Sequence, residues 1–379
     1  MSQCTKCKHI FSQKSHLIAH EKRKKPCNEQ LSMDELVDIR ARALLDMNIF
    51  PQPKVVHPIS DEQKYFWSPS MLDMVDIEKP PIKWVGGKTQ IIKEVIQMMP
   101  RKMDTYFEPF LGGGSVLLAV LGYVKAGTMQ IKKFRACDIN PNVIALYKNI
   151  QNNVDDLLTQ LKLIVDTYNG CPCVKDANRT PKNHDEAVES QEAYYYWMRR
   201  LFNGISAKER LTPLSSAVFV FLNKTSFRGV YREGPHGFNV PFGHYKNPSV
   251  YSEEDMRNLS ELIQGVEFVC QKWEETVWEI RPNDFVYLDP PYAPSAKNSF
   301  VSYTANGFKK EDHKELFKAC QHLPMLMSNS DVDLVNDAFP SPPYEKKVLS
   351  CKRSINSKDP GERENEVLIR SIPLNTEVR

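Results

Sequence analysis

From Tyr106 the chain runs through a short apolar strand pattern, Tyr106-Phe-Glu-Pro-Phe-Leu, into Gly112-Gly113-Gly114 and then into a helical pattern over 115–122. Strand, glycine turn and helix in that order make the β–turn–α unit of an open α/β sheet. Its glycines let a ligand approach the backbone at the helix N-terminus. Glycine turns also join strands to helices for packing alone, so the unit by itself leaves the ligand open. The next strand pattern, Phe134-Arg-Ala-Cys-Asp-Ile-Asn-Pro141, narrows the choice. Asp138 stands at its end, where an acid commonly holds a pair of ribose hydroxyls. Neither a GxGxxG spacing nor a Gly-Lys-Ser/Thr loop is present, so the pattern points to a nucleoside without a pyrophosphate.

A chain of 379 residues with 41% hydrophobic and 26% charged residues is too apolar for a disordered chain and too mixed for a collagen or coiled-coil rod. Its length suits two or three domains. No apolar run is long enough for a membrane-spanning helix, and the first residues lack the apolar core of a secretory signal. Nine scattered cysteines, an odd number, form no legible disulfide framework. An intracellular setting is expected, nuclear or in a viral or bacterial cytoplasm, with no membrane partner. The formal net charge is only +3, but residues 1–30 hold seven Lys/Arg against two acids, a surplus of +5 that leaves 3 − 5 = −2 for the rest. A basic head precedes a nearly neutral body.

That head, residues 1–30, carries Cys4-x2-Cys7-x12-His20-x6-Cys27, with Phe11 and Leu17 where a small ββα zinc finger puts its core. Two close cysteines on a hairpin and two ligands on one helix complete a tetrahedral cage for Zn²⁺, whose binding supplies the folding energy so short a segment lacks. The head resembles Cys2His2 fingers, with Cys27 in place of the last His and a longer final spacing. If it reads DNA like its relatives, Gln13, His16 and Ala19 face the groove. A basic tail with incidental cysteines is the plainer alternative. Residues 31–79 read as a linker, with one amphipathic helix at 33–47 and four prolines after it.

Further on, Asp284-Phe-Val-Tyr-Leu288 ends in Asp289-Pro290-Pro291-Tyr292. Proline donates no ladder hydrogen bond, so this turn belongs at the carboxyl end of a strand, where open α/β sheets bind ligands. It presents the Asp289 carboxylate, the free Pro290 carbonyl and the Tyr292 ring in a short, stiff span. These parts suit an exocyclic amine such as adenine N6, whose lone pair is delocalised into the ring. Two acceptors on its N–H groups draw the nitrogen toward sp³ geometry and aim the lone pair at a methyl donor. Tyr292 stacks on the base. An ordinary Asp-Pro turn remains the alternative.

With Ile82-Lys-Trp-Val-Gly-Gly-Lys88, these segments resemble, in content and order, the Dam-type DNA adenine-N6 methyltransferases of the α-ordered group. The likeness covers residues 80–379. It implies an α/β fold: a Rossmann-like sheet binding S-adenosylmethionine at 80–150 and 266–379, with an inserted DNA-recognition domain of helices and a β-hairpin at 151–265. Carried over by position, Trp84 and Lys88 belong to the N-terminal cofactor motif. Phe107, Glu108, Gly112 and Gly114 cradle the methionine part, and Asp138 binds the ribose. Asp289, Pro290, Pro291 and Tyr292 form the amine site. Phe300, Tyr303 and Phe308 match an aromatic loop that closes after it, with Phe308 on the cofactor side. No catalytic metal is implied. One departure is Cys270-Gln-Lys272-Trp273, where the family often has an acidic residue ahead of the aromatic.

Residues 221–245 show two extended runs around a Gly/Pro turn, which predicts a β-hairpin. It carries Lys224, Arg228 and Arg232 among aromatics, with the single acid Glu233, as expected of an element that touches phosphates and bases together. By the resemblance, Arg232 falls at the guanine-reading position, Phe227 at the aromatic inserted beside a flipped base, and Asn239 opens the matching Asn-Val-Pro-Phe-Gly. The partner is then double-stranded DNA and GATC the expected site. Lys352 and Arg353 match a basic stretch placed near DNA. Helical patterns cover 141–165, 190–210 and 252–264, and the polar stretch 169–189 reads as a long loop. Its Cys171-x-Cys173 lacks a second cysteine pair for a metal. Two other activities stay open: methylation of RNA adenine or of a protein amide, and a non-catalytic DNA-binding regulator.

Overall fold

The structure, a computed structural model, describes residues 75–294, 308–321, 323–352 and 363–371, together with Ser2–Gln3 and Ile10–Phe11. The chain divides into two compact units, 1–59 with 375–379, and 60–374. In the first, Ser2–Gln3 pairs antiparallel with Ile10–Phe11, Ser2 opposite Phe11. The expected ligands Cys4, Cys7, His20 and Cys27 lie outside the described residues, as does the helix expected at 33–47.

The second unit is built on a seven-stranded sheet. Its strands are β1 (Lys102–Glu108), β2 (Gln130–Asp138), β3 (Val266–Cys270), β4 (Phe285–Leu288), β5 (Met325–Ser330), β6 (Tyr344–Lys352) and β7 (Arg363–Ser371). Their order is β6-β7-β5-β4-β1-β2-β3. Pairings are parallel from β5 through to β3, and β7 runs antiparallel to both β5 and β6. All four residues of β4 are buried, as a strand covered on both faces requires. The chain passes from β1 to β2 on one side and returns at β4 on the other. The carboxyl ends of β1 and β4 therefore flank the switch point where such sheets hold ligands.

Helices follow the strands: α1 (Ile92–Gln97) before β1, α2 (Ser115–Lys125) after it, and α3 (Pro141–Asn152) after β2. Asn140 caps α3, its side chain accepting from the Asn142 N–H at 2.9 Å, and Pro141 supplies the preset first turn. Five more helices stand between α3 and β3: α4 (Val154–Gly170), α5 (His184–Val188), α6 (Gln191–Gly204), α7 (Pro213–Thr225) and α8 (Glu253–Leu262). The last three, α9 (Trp273–Val277), α10 (Lys310–Cys320) and α11 (Asp333–Ala338), flank the later strands. One buried cluster joins sheet residues such as Tyr106, Phe268 and Tyr287 to Tyr168, Tyr195 and Phe221 of the helical segment.

Three sequence expectations are corrected. The pattern over 141–165 is two helices, broken at Asn153. The stretch 169–189 is shorter as a loop, because α4 continues to Gly170 and α5 begins at His184. The first arm of the expected hairpin at 221–245 is not extended: Phe221–Thr225 closes α7. The run Ala217–Leu222 is apolar on every face, a pattern that fits a buried strand or a buried helix equally. Here Thr212 settles the matter by capping the Ser215 N–H at 3.3 Å, with Pro213 in the first turn. All of 217–222 is buried, worth about 1.5–3 kcal/mol for each large apolar side chain.

Candidate active site

Asp289 follows β4 directly. Its carboxylate meets the Lys88 ammonium at 2.7 Å, and that ammonium lies 5.0 Å from the centre of the Tyr292 ring. Lys88 is only 2% exposed. Its Nζ also donates to the Gly86 carbonyl, and its backbone N–H donates to the Ser115 hydroxyl at 3.1 Å. Burial pushes the Asp289 carboxyl up to about 6, against the opposing pull of Lys88. Behind the turn, the Ala293 N–H donates to Asn329 Oδ1 at 3.0 Å and the Tyr292 hydroxyl donates to Glu366 at 3.1 Å. Thus β5 and β7 hold the turn from below, a support that the sequence of the turn does not disclose.

On the neighbouring strands stand the candidate cofactor residues. Glu108 ends β1, is 2% exposed and accepts a 2.6 Å hydrogen bond from the Tyr106 hydroxyl. Burial raises its carboxyl to about 8; the Asp289 and Asp138 charges add to the rise, while Tyr106 and Lys88 oppose it. Asp138 ends β2 and accepts the Gly112 and Asn140 N–H groups, each at 2.8 Å. Burial lifts it to about 6 in spite of them. Lys88, Glu108, Asp138 and Asp289 therefore share one electrostatic environment, although they come from distant parts of the sequence. Gly112 and Gly114 both have positive φ, +50° and +76°. A methyl on Gly112 would reach within 2.7 Å of the Trp84 indole, and one on Gly114 within 2.1 Å of the Tyr147 hydroxyl. That hydroxyl itself donates to the Gly113 carbonyl at 2.8 Å. Glycine is needed here for both dihedral and space.

Phe107 is not brought together with these groups. Alternation along β1 sets its side chain on the opposite face from Tyr106 and Glu108. Phe308 packs edge-on against Phe110, with ring centres 6.4 Å apart, and against His313 at 4.7 Å. Phe300 and Tyr303 lie outside the described residues.

The 226–245 segment is an irregular hairpin rather than a long ladder. Its pairs are a bridge between Ser226 and Phe242 and a two-residue ladder, Glu233–Gly234 with Gly237–Phe238, around the expected Gly/Pro turn. Phe227 is 50% exposed, with the Arg228 guanidinium 5.2 Å above its ring. Arg232 and Asn239 are exposed and joined by a 2.7 Å bond from Arg232 Nε to Asn239 Oδ1. Lys224 is half-buried on α7, with its ammonium pKa lowered by burial and by nearby Lys83. Lys352 ends β6, and Arg353 lies outside the described residues. Among the described residues no group of three His, Cys, Asp or Glu side chains could hold a metal ion, and no helix is long and apolar enough to cross a membrane.

Sequence reasoning missed two contacts that tie these parts together. Trp84 stacks on Tyr231 of the hairpin, 5.5 Å between centres and 23° between planes. Asn223 on α7 bonds to the main chain of Lys83. The alternation of aromatic and basic residues at 221–232 hinted at the first; no local signal carried the second.

The mostly parallel sheet, with a glycine loop after its first strand and an acid closing its second, makes an α/β fold like that of the class I S-adenosylmethionine-dependent methyltransferases. Residues 84–355 match the D12 class N6 adenine-specific DNA methyltransferase family, and the chain belongs to that family. It is 34% identical over 294 residues to the Type II methyltransferase M.MjaIII of Methanocaldococcus jannaschii, covering 74% of this chain and 93% of that protein. It is 29% identical over 294 residues to the DNA adenine methylase of Haemophilus influenzae (75% and 90% covered). The Retron Ec67 DNA adenine methylase of Escherichia coli shares 28% over 281 residues (72% and 84%).

Proposed function

We propose that the chain transfers a methyl group to N6 of an adenine turned out of a short duplex DNA site, with GATC the favoured sequence. The observation that carries this reading is the corner at the switch point of the sheet. There the partly buried Asp289 carboxylate pairs with the Lys88 ammonium, which also faces the Tyr292 ring, at the end of the strand next to the one that ends in Glu108 and leads into the glycine loop. S-adenosylmethionine, when bound, supplies an electrophilic methyl on a sulfonium. The residues fit it. Asp138 takes the Asn140 N–H on one oxygen and the Gly112 N–H on the other, and its remaining lone pairs suit a ribose diol, while Glu108 offers a carboxyl that an arriving ammonium would draw into its ionised form. Glycines at 112 and 114 keep the backbone open to close approach.

In this reading Asp289 and the Pro290 carbonyl accept the two N6–H groups and localise the lone pair. Asp289 then holds the proton released as the N–CH3 bond forms. Lys88 keeps Asp289 ionised against the pull of burial. Tyr292, anchored by Glu366, stacks on the base and offsets the few kcal/mol lost when adenine leaves the duplex. Arg232 reads guanine, Phe227 fills the stack beside the flipped base, and Arg228 and Lys224 add positive charge along the backbone. Segment 151–265 serves as the target-recognition domain.

We also propose that Cys4, Cys7, His20 and Cys27 hold a structural zinc ion. Their spacing supports it, as does the antiparallel pairing of Ser2–Gln3 with Ile10–Phe11, which brackets positions 4–9. Metal analysis of the full chain tests it: one equivalent of zinc, lost in Cys4→Ser with Cys27→Ser, is expected. For the activity, purified protein is incubated with labelled S-adenosylmethionine and, separately, duplex DNA, RNA and protein. Label is expected at adenine N6 of duplex DNA. Transfer only to RNA or protein, or to nothing, refutes the reading.

A further inference from the structure

We infer that Asn223, a residue outside the amine site and the cofactor loop, is a positioning residue that sets the DNA-reading turn against the Trp84–Lys88 segment and thereby sharpens site discrimination. The inference rests on the methyl-transfer reading above and adds a determinant of specificity to it.

Asn223 sits in the last turn of α7 and is 2% exposed. Its amide saturates three main-chain groups from two loops. Oδ1 accepts the Lys83 N–H at 2.8 Å, while Nδ2 donates to the Lys83 carbonyl at 2.8 Å and to the Gly229 carbonyl at 3.1 Å. The first pair imitates a peptide in a β-ladder. It fixes the backbone one residue before Trp84, which packs on Gly112 and Gly113, and five before Lys88, which pairs with Asp289. The third bond fixes the turn that carries Phe227 and Arg228 into solvent.

Main-chain bonds close that turn, Gly229 N–H to the Ser226 carbonyl at 3.1 Å and Phe227 N–H to the Pro241 carbonyl at 2.8 Å, but they close it around a strained pair. Arg228 and Gly229 stand in succession at φ +60° and +65°. A left-handed arginine is strained and persists only where its surroundings over-determine it. The surroundings are tight: a methyl on Gly229 would come within 2.5 Å of Lys83 Cδ and 3.2 Å of the Asn223 carbonyl oxygen. The Asn223 amide is the polar link in this contact. Removing it leaves the Lys83 N–H and carbonyl and the buried Gly229 carbonyl without this partner and loosens the hold on the strained turn, while Lys88, Asp289 and Asp138 keep their own partners.

The test uses full-length protein on plasmid DNA, with methylated adenines read by sequencing and transfer rates taken at cognate and one-base-altered sites. In Asn223→Ala, the rate at the cognate site is expected to fall about tenfold or more and the rate at altered sites much less, so discrimination narrows. Asn223→Asp keeps the acceptor for the Lys83 N–H but loses both donors, and should fall between. Asn223→Ala should cost less in an Arg228→Asn background, because asparagine tolerates the left-handed conformation that the amide otherwise holds in arginine. Equal loss at all sites, or an unchanged ratio, would overturn the inference. Wild-type protein that methylates no DNA would instead defeat the functional reading on which it rests.

Discussion

At the carboxyl ends of β1, β2 and β4, charge is withdrawn from water. Lys88, Glu108, Asp138 and Asp289 crowd together, and burial lifts the three carboxyls to about 8, 6 and 6. In the 226–245 segment the functional candidates stand in water instead: Phe227, Arg228, Arg232 and Asn239 are exposed. In the proposed reaction the first region would hold its dipoles and charges in place before any substrate arrives, where reorganisation costs least. The second, in the proposed function, would meet DNA, and its tips are solvated. Behind them lie the buried Asn223 amide and the stacked Trp84 and Tyr231 rings.

Each prediction presses on this contrast. Asp289→Ala should lower transfer about 10²- to 10⁴-fold, the usual worth of a positioned proton acceptor, while cofactor binding stays measurable by equilibrium titration. Retained turnover would remove Asp289 from the chemistry. Arg232→Ala should leave the maximal rate largely intact and lose about 1–3 kcal/mol of discrimination at one guanine, read by sequencing of methylated sites. Loss spread over every position would make Arg232 a backbone contact.

The pH profiles should divide the regions further. Asp289 must be ionised to accept from N6, and its carboxyl sits at about 6. Transfer should therefore fall about tenfold per pH unit below that value. Lys88→Met removes the charge that opposes protonation, so the acid limb should move to higher pH. Arg232→Ala should leave the limb where it is. The smallest expected effect is on stability. Glu108 has a native value near 8 against an ordinary 4.5, so within that window the native state holds a proton that the unfolded chain has released. Stability contributed by Glu108 is complete below the window and is lost as pH rises through it. Glu108→Gln, which keeps an acceptor for Tyr106, should raise the melting temperature by a few degrees at pH 8 and change little at pH 5. Scanning calorimetry at the two values decides it.

Much of the catalytic region was legible because its constraints are local. Glycines at 112–114 answer to dihedral and space, prolines 290–291 cannot sit inside a strand, and Asp138 and Asp289 close apolar runs whose burial follows from the pattern. The recognition segment was less legible for a physical reason. Ala217–Leu222 is apolar on all sides, so alternation does not separate helix from strand, and the expected hairpin arm takes in Phe221–Thr225, the end of α7.

By itself, then, the sequence determined the glycine loop, the acid that closes β2 and the stiff Asp-Pro-Pro-Tyr turn, since each is dictated by backbone sterics or burial within a few residues. Only the tertiary structure decided that Lys88 neutralises Asp289, that Glu366 on β7 anchors Tyr292, and that Asn223 ties Lys83 to Gly229. Those partners lie 201, 74 and 140 positions apart, or bridge two loops at once. Chain folding alone brings them within hydrogen-bonding distance, and no periodicity in the sequence records it.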